Sequence, residues 1–142
     1  MIFLDTNVFG YAFLSQDARK KEHAMTLVYQ ALKGNDYAIS TQVVSETLNL
    51  LLKKASFSYP QISRCQHILE HIPTIVLLTV PLIRRASEIK AIYGLQLYDA
   101  QIMAAAEHCN AALVLSEDMA NRQCYGNVTC MNPFDEEGSL SL

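Results

Sequence analysis

A chain of 142 residues, 51% of them hydrophobic and 18% charged, has apolar material for one ordinary core and too little length for two comfortable domains. That balance excludes a disordered polymer, and no repeat, low-complexity run or Gly/Ser/Pro-rich linker interrupts it. A net charge of −3 argues against a nucleic-acid partner until its distribution is considered, because phosphate contacts need Lys and Arg.

Met1-Ile2-Phe3-Leu4 is apolar without alternation, which suits a central parallel strand covered on both faces. Asp5 follows at its carboxyl end, the edge where open α/β sheets bind ligands. Thr6 or Asn7 can cap a helix running from Val8 to Leu14, and Asp5 is itself an ordinary cap residue. Ala18–Leu32 carries a helical stripe of Ala24, Leu27, Val28, Ala31 and Leu32, ended by Gly34-Asn35. Tyr37–Ser40 reads as a short strand. Thr41 then opens a helix through Val43, Val44, Thr47, Leu48, Leu51 and Leu52 that closes on Lys53-Lys54, where cations favour the helix dipole.

Residues 56–71 read as a loop followed by a helix started near Pro60. Residues 74–78 form another buried strand between Pro73 and Pro81. Residues 82–93 are helical up to Gly94, and 99–109 are helical again, with Ala104, Ala105 and Ala106 permitting close packing. Residues 111–115 give a further buried strand and 128–130 a short last one. Alternating β and α segments imply a largely parallel sheet with helices on both faces. Strand ends then share one edge.

The longest uncharged apolar run, residues 71–81, is too short to span a bilayer. No basic region precedes the first apolar residues and Asp5 breaks their run, so a signal sequence is not expected and the protein reads as cytoplasmic. Cys65, Cys109, Cys124 and Cys130 lack C-x-x-C spacing, so reduced packing cysteines are expected.

Four acids stand at the shared edge. Asp5 ends the first strand, Glu46 lies about a turn into the helix after the second, Asp99 is in the first turn of its helix, and Asp118 follows the 111–115 strand with Ser116 and Glu117 beside it. Each has a plain alternative: a solvated helix residue for Glu46, a first-turn acid for Asp99, a turn residue for Asp118. Asp99 resists that alternative, since helical spacing puts it on one face with Met103 and Ala106, and a carboxylate there needs a partner. No Lys or Arg stands in the neighbouring motifs, so four close carboxylates would repel one another. A hard cation, Mg²⁺ or Mn²⁺, resolves the conflict and activates water on a phosphodiester. Removing these four carboxylates takes the net charge from −3 to +1, and setting aside Asp135, Glu136 and Glu137 as well takes it to +4.

Leu4-Asp5-Thr6-Asn7, Val44-Ser45-Glu46, Tyr98-Asp99-Ala100, Ser116-Glu117-Asp118 and Met131-Asn132-Pro133-Phe134 together make the chain resemble the PIN-domain nucleases, particularly VapC-type toxins of prokaryotic toxin–antitoxin pairs. The resemblance implies a three-layer α/β/α domain over residues 1–134 with a short acidic and polar tail at 135–142. It implies a Mg²⁺- or Mn²⁺-dependent endoribonuclease whose acidic site is Asp5, Glu46, Asp99 and Asp118, supported by Thr6, Asn7 and Ser116. Glu117 competes with Asp118, which is preferred because the family's last acid usually lies two positions after the Ser or Thr following the strand. The implied partners are an RNA substrate, a cognate antitoxin and a second copy of the chain, with no membrane.

Other motifs carry less. His67-x-x-x-His71 lacks the Glu of H-E-x-x-H, His23 and His108 are isolated, and no Gly-rich phosphate loop is present. No Cys or Ser lies beside a convincing His–Asp pair. A receiver-like signalling domain would need an acidic pair near the first strand and a late lysine, yet Asp5 stands alone and no lysine follows residue 90. A catalytically silent PIN-like scaffold is the remaining alternative.

Overall fold

A computed structural model describes residues 1–34, 36–54 and 56–135. The element order is β1 (Ile2–Leu4), α1 (Thr6–Leu14), α2 (Ala18–Leu32), β2 (Tyr37–Ser40), α3 (Thr41–Leu52), α4 (Tyr59–Glu70), β3 (Thr74–Val76), α5 (Val80–Tyr93), α6 (Leu97–His108), β4 (Leu113–Leu115), β5 (Cys124–Tyr125) and β6 (Val128–Met131). The strands form one sheet in the order β3-β2-β1-β4-β6-β5, flanked by the helices in a three-layer α/β/α sandwich. Every pairing is parallel except β5 with β6. Of the acidic tail at 135–142, residues 136–142 lie outside the described residues.

The apolar run of β1 becomes the middle of the sheet. Phe3 and Leu4 are fully buried, and Leu4 pairs with Leu115 in register. The chain leaves β1 toward β2 and β3 on one side, then returns to β4 on the other. The strand order therefore reverses between β1 and β4, and at such a switch point a crevice opens at the strands' carboxyl ends. Asp5 N–H continues the ladder by donating to Leu115 O at 3.1 Å, and Ser116 N–H donates to Met131 O at 3.0 Å. Both residues are fixed at the edge by backbone hydrogen bonds.

Local chemistry corrects two expectations, bears out a third and adds a strand. Asp5, not Thr6 or Asn7, caps α1, because its side chain reaches the Thr6 N–H. The helix expected to start near Pro60 after a short loop runs from Tyr59: Ser58 and Gln61 form a capping box, and Pro60 sits in the first turn where its missing N–H costs nothing. The 74–78 strand stops at Val76, because β3 is a sheet edge and the chain then turns outward, leaving Leu77 64% exposed while the Leu78 N–H donates to Thr41 Oγ1 at 3.0 Å. Finally β5 joins β6 through Gly126-Asn127, with Gly126 at φ +65°, the left-handed backbone that tight hairpins require.

The core gathers the inward stripes of the helices and the two central strands. In α6 seven consecutive residues, Ala100 to Ala106, are buried, so this helix runs through the interior. Its alanines let it pack closely against α5 after the turn at Gly94, which adopts φ +72°. Cys65, Cys109, Cys124 and Cys130 are free thiols.

Candidate active site

Asp5 is only 3% exposed, and its two oxygens do different work. Oδ1 accepts from the Thr6 N–H at 2.7 Å and caps α1, while Oδ2 accepts from the Ser116 hydroxyl at 2.8 Å. The residue is thus both helix cap and site carboxylate. Burial pushes its pKa up to about 7 against these two hydrogen bonds, and the charges of Asp118 and Glu46 push it further in the same direction.

Those charges reach Asp5 because the other acids sit on the same polar network. Thr6 Oγ1 donates to Glu46 Oε2 at 2.7 Å, tying α1 to α3. Asn7 Nδ2 donates to Ser116 Oγ at 3.1 Å and to Asp118 Oδ2 at 3.2 Å. The Asp118 N–H also donates to Ser116 Oγ at 3.1 Å, so that hydroxyl gives one hydrogen bond and accepts two. Asp99, half-buried in the first turn of α6, has its carboxyl raised by burial first and then by the charges of Asp118 and Glu46. Thr6, Asn7 and Ser116 thus link Asp5, Glu46 and Asp118 by hydrogen bonds, and Asp99 joins them only through the charges of Asp118 and Glu46.

Glu117 is drawn elsewhere. Its Oε1 accepts from the Tyr11 hydroxyl at 2.6 Å and its Oε2 lies 3.9 Å from Lys20 Nζ. The hydrogen bond to Glu117 raises the Tyr11 phenol above its usual range. Glu117 has its own cation, whereas among the described residues no Lys or Arg forms an ion pair with Asp5, Glu46, Asp99 or Asp118.

Two further residues belong to the network that the sequence reading passed over. Gln42, buried one turn before Glu46, donates from Nε2 to Glu46 Oε1 at 2.9 Å and to Tyr98 O at 3.1 Å. Gln101, also buried, donates to Gln42 Oε1 at 2.8 Å. Together they lock α3 to α6 and hold Glu46 from the side opposite Thr6. The signal was the Gln42–Glu46 spacing of four on one helix face.

This donor set fits a hard divalent cation. It is rich in oxygen, and it keeps Asn7 Oδ1 buried without a hydrogen-bond partner, an acceptor that a cation's bound water would satisfy. Among the described residues no three His, Cys, Asp or Glu side chains form a ready-made direct ligand group.

The PIN domain family model matches residues 2–123. The chain belongs to the PIN-domain family. That membership sets aside the receiver-like reading. Solved structures with the same fold include VapC20 of Mycobacterium tuberculosis, titled a sarcin–ricin loop cleaving toxin, with 20% identity over 83% of this chain and 92% of that one and a TM-score of 0.66. A toxin–antitoxin complex from Klebsiella pneumoniae superposes with a TM-score of 0.70 at 20% identity, covering 95% of this chain and 99% of that one. VapBC2 from Rickettsia felis, bound to a promoter DNA fragment, gives 0.65 at 19% identity, covering 93% and 98%. No curated protein matches this PIN domain in sequence.

Proposed function

We propose that this PIN domain is a Mg²⁺- or Mn²⁺-dependent endoribonuclease, the toxin of a toxin–antitoxin pair, with Asp5, Glu46, Asp99 and Asp118 as its acidic site. The observation that carries the reading is the hydrogen-bonded network that joins Asp5, Glu46 and Asp118 at the β1/β4 switch point, with the Asp99 carboxyl raised by the charges of Asp118 and Glu46 and no pairing Lys or Arg among the described residues. The similar structures support it: one is a sarcin–ricin loop cleaving toxin and another is a toxin–antitoxin complex. By the same analogy, the partners are an antitoxin segment covering the acidic edge and a second copy of the chain. Residues 1–134 form the unit that carries the activity.

A divalent ion held by Asp5, Glu46, Asp99 and Asp118, directly or through its own waters, would supply Lewis-acid activation of water and neutralise charge gathering on the phosphodiester. The protein's own part is positional. Ser116 and the Thr6 N–H hold the Asp5 carboxylate in one orientation, Asn7 aims Asp118, and Thr6 with Gln42 fixes both oxygens of Glu46. Such preorganised groups need no rearrangement as negative charge develops on the phosphate. Tyr11, Lys20 and Glu117 form a separate cluster beside the first helix. Among the described residues no helix is long and apolar enough to cross a membrane, and the reading places the protein in the cytoplasm with its RNA.

The test is incubation of the purified protein with total RNA, with and without Mn²⁺, and mapping of new ends. New ends that require Mn²⁺ and vanish in Asp5→Asn and Asp99→Asn support the assignment. Full activity in either variant refutes it. A catalytically silent scaffold would give no new ends and no thermal stabilisation by Mn²⁺.

A further inference from the structure

A cleft of about 560 Å³ opens beside the acids, between the start of α3, Leu78 after β3, and the start of α6. Gln42, Glu46, Tyr98 and Gln101 line it, so its inner wall is the same network that holds Glu46. Tyr98 precedes Asp99 and is 68% exposed, a phenol ring left open at the mouth. Such a volume, apolar at Tyr98 and Leu78 with a few fixed polar groups, is the composition of small-ligand sites.

The polarity of the inner wall follows from the hydrogen bonds. The partners of Gln42 Nε2 are a carboxylate and a main-chain carbonyl, which only accept, so that end of Gln42 must be its amide nitrogen. Gln42 Oε1 therefore faces Gln101 and takes a proton from Gln101 Nε2. The carbonyl end of Gln101, a residue 5% exposed and lining the cleft, is left as an acceptor without a partner among the described residues. That oxygen faces the cleft and is free to accept a hydrogen bond from an occupant.

We propose that this cleft is a nucleobase subsite next to the scissile phosphate, taking a base stacked on Tyr98 with its exocyclic amino group donating to Gln101 Oε1. The inference rests on the nuclease reading above and adds a preference to it. Aromatic side chains hold single-stranded bases by stacking, and an acceptor admits the exocyclic amino group of cytosine, adenine or guanine but opposes the O4 of uracil. The base lies against Tyr98 and Glu46, which brings its phosphate to the neighbouring Asp99. Ser45 on the rim completes a polar border.

The experiment uses the full chain and two readouts. Cytidine and uridine 5′-monophosphates are titrated into the wild type, Tyr98→Ala and Tyr98→Phe by NMR, and the same proteins are assayed on oligonucleotides varied at the base flanking the cut. The expected result is tighter binding of the cytidine nucleotide than the uridine one, a loss of about tenfold in Tyr98→Ala and recovery in Tyr98→Phe. In cleavage, Tyr98→Ala raises KM, leaves kcat within about twofold and flattens the base preference. Equal binding of the two nucleotides, or unchanged binding and KM in Tyr98→Ala, overturns the subsite. Nucleotide binding that behaves as expected in a protein that cuts no RNA upholds the subsite and sinks the nuclease reading instead.

Discussion

The Ser116 hydroxyl spends its one proton on Asp5, across a 2.8 Å hydrogen bond that joins the ends of β1 and β4 out of reach of water. That bond favours the ionised carboxylate and works against burial. Removing it in Ser116→Ala should move the Asp5 pKa above its present value of about 7. The acid limb of a cleavage-versus-pH profile, which needs ionised Asp5, should shift to higher pH in the variant. An unshifted limb would separate Asp5 from the rate-determining ionisation.

The same raised pKa makes stability depend on pH with a definite sign. In the unfolded chain Asp5 releases its proton near pH 4, whereas the folded protein keeps it until about pH 7. The contribution is therefore complete below about pH 4 and is lost as pH rises through about 7; Asp99, shifted the same way, adds to it. Metal-free Asp5→Asn, which keeps an oxygen for the α1 cap, should melt higher than the wild type, by more than about 4 °C at pH 8 and by little near pH 4. Mn²⁺ should close the gap by stabilising only the wild type. Parallel melting curves at all pH values would show that the charge on Asp5 has no folding cost.

The neighbours Glu117 and Asp118 should part company in the assay. Asp118 is aimed by Asn7, while Glu117 is occupied by Tyr11 and Lys20. Asp118→Asn should lower kcat by about 10²-fold, a loss of the size seen when one electrostatic stabiliser is removed. Glu117→Gln should stay within about threefold of wild type, since its partly buried contacts to Tyr11 and Lys20 lie outside the network that holds the four acids. The reverse order of effects would reassign the last acid.

Gln42→Leu tests whether the buried amide positions Glu46. The change strands Gln101 and frees one oxygen of Glu46, so stability should fall by about 1–3 kcal/mol. In Mn²⁺-dependent cleavage kcat should fall while binding of substrate to the rest of the groove persists. A variant destabilised to that extent with unchanged kcat would make Gln42 purely a packing residue.

Much of this architecture was legible because its signals are local and redundant. The unbroken apolar residues of β1, the stripe of α2 and the Ser40–Thr41 start of α3 each combine burial pattern with a cap. The placement of Asp5, Glu46, Asp99 and Asp118 at one edge was also readable, since each sits just past a strand end or near a helix start. Less visible were features created only by tertiary context. β5 is two residues long and exists through its pairing with β6, and β3 ends early because nothing flanks it on one side. Gln42 and Gln101 look like ordinary surface glutamines until packing of α6 through the core buries them.

The joints of the fold are short. A single residue, Asp5, separates β1 from α1, and β2 passes into α3 with none between Ser40 and Thr41. Inserting one amino acid between Leu4 and Thr6 would rotate the following helix by about 100° and carry Asn7 and Tyr11 away from their partners. The hinges under the carboxylates therefore admit replacement of side chains but no change in residue count.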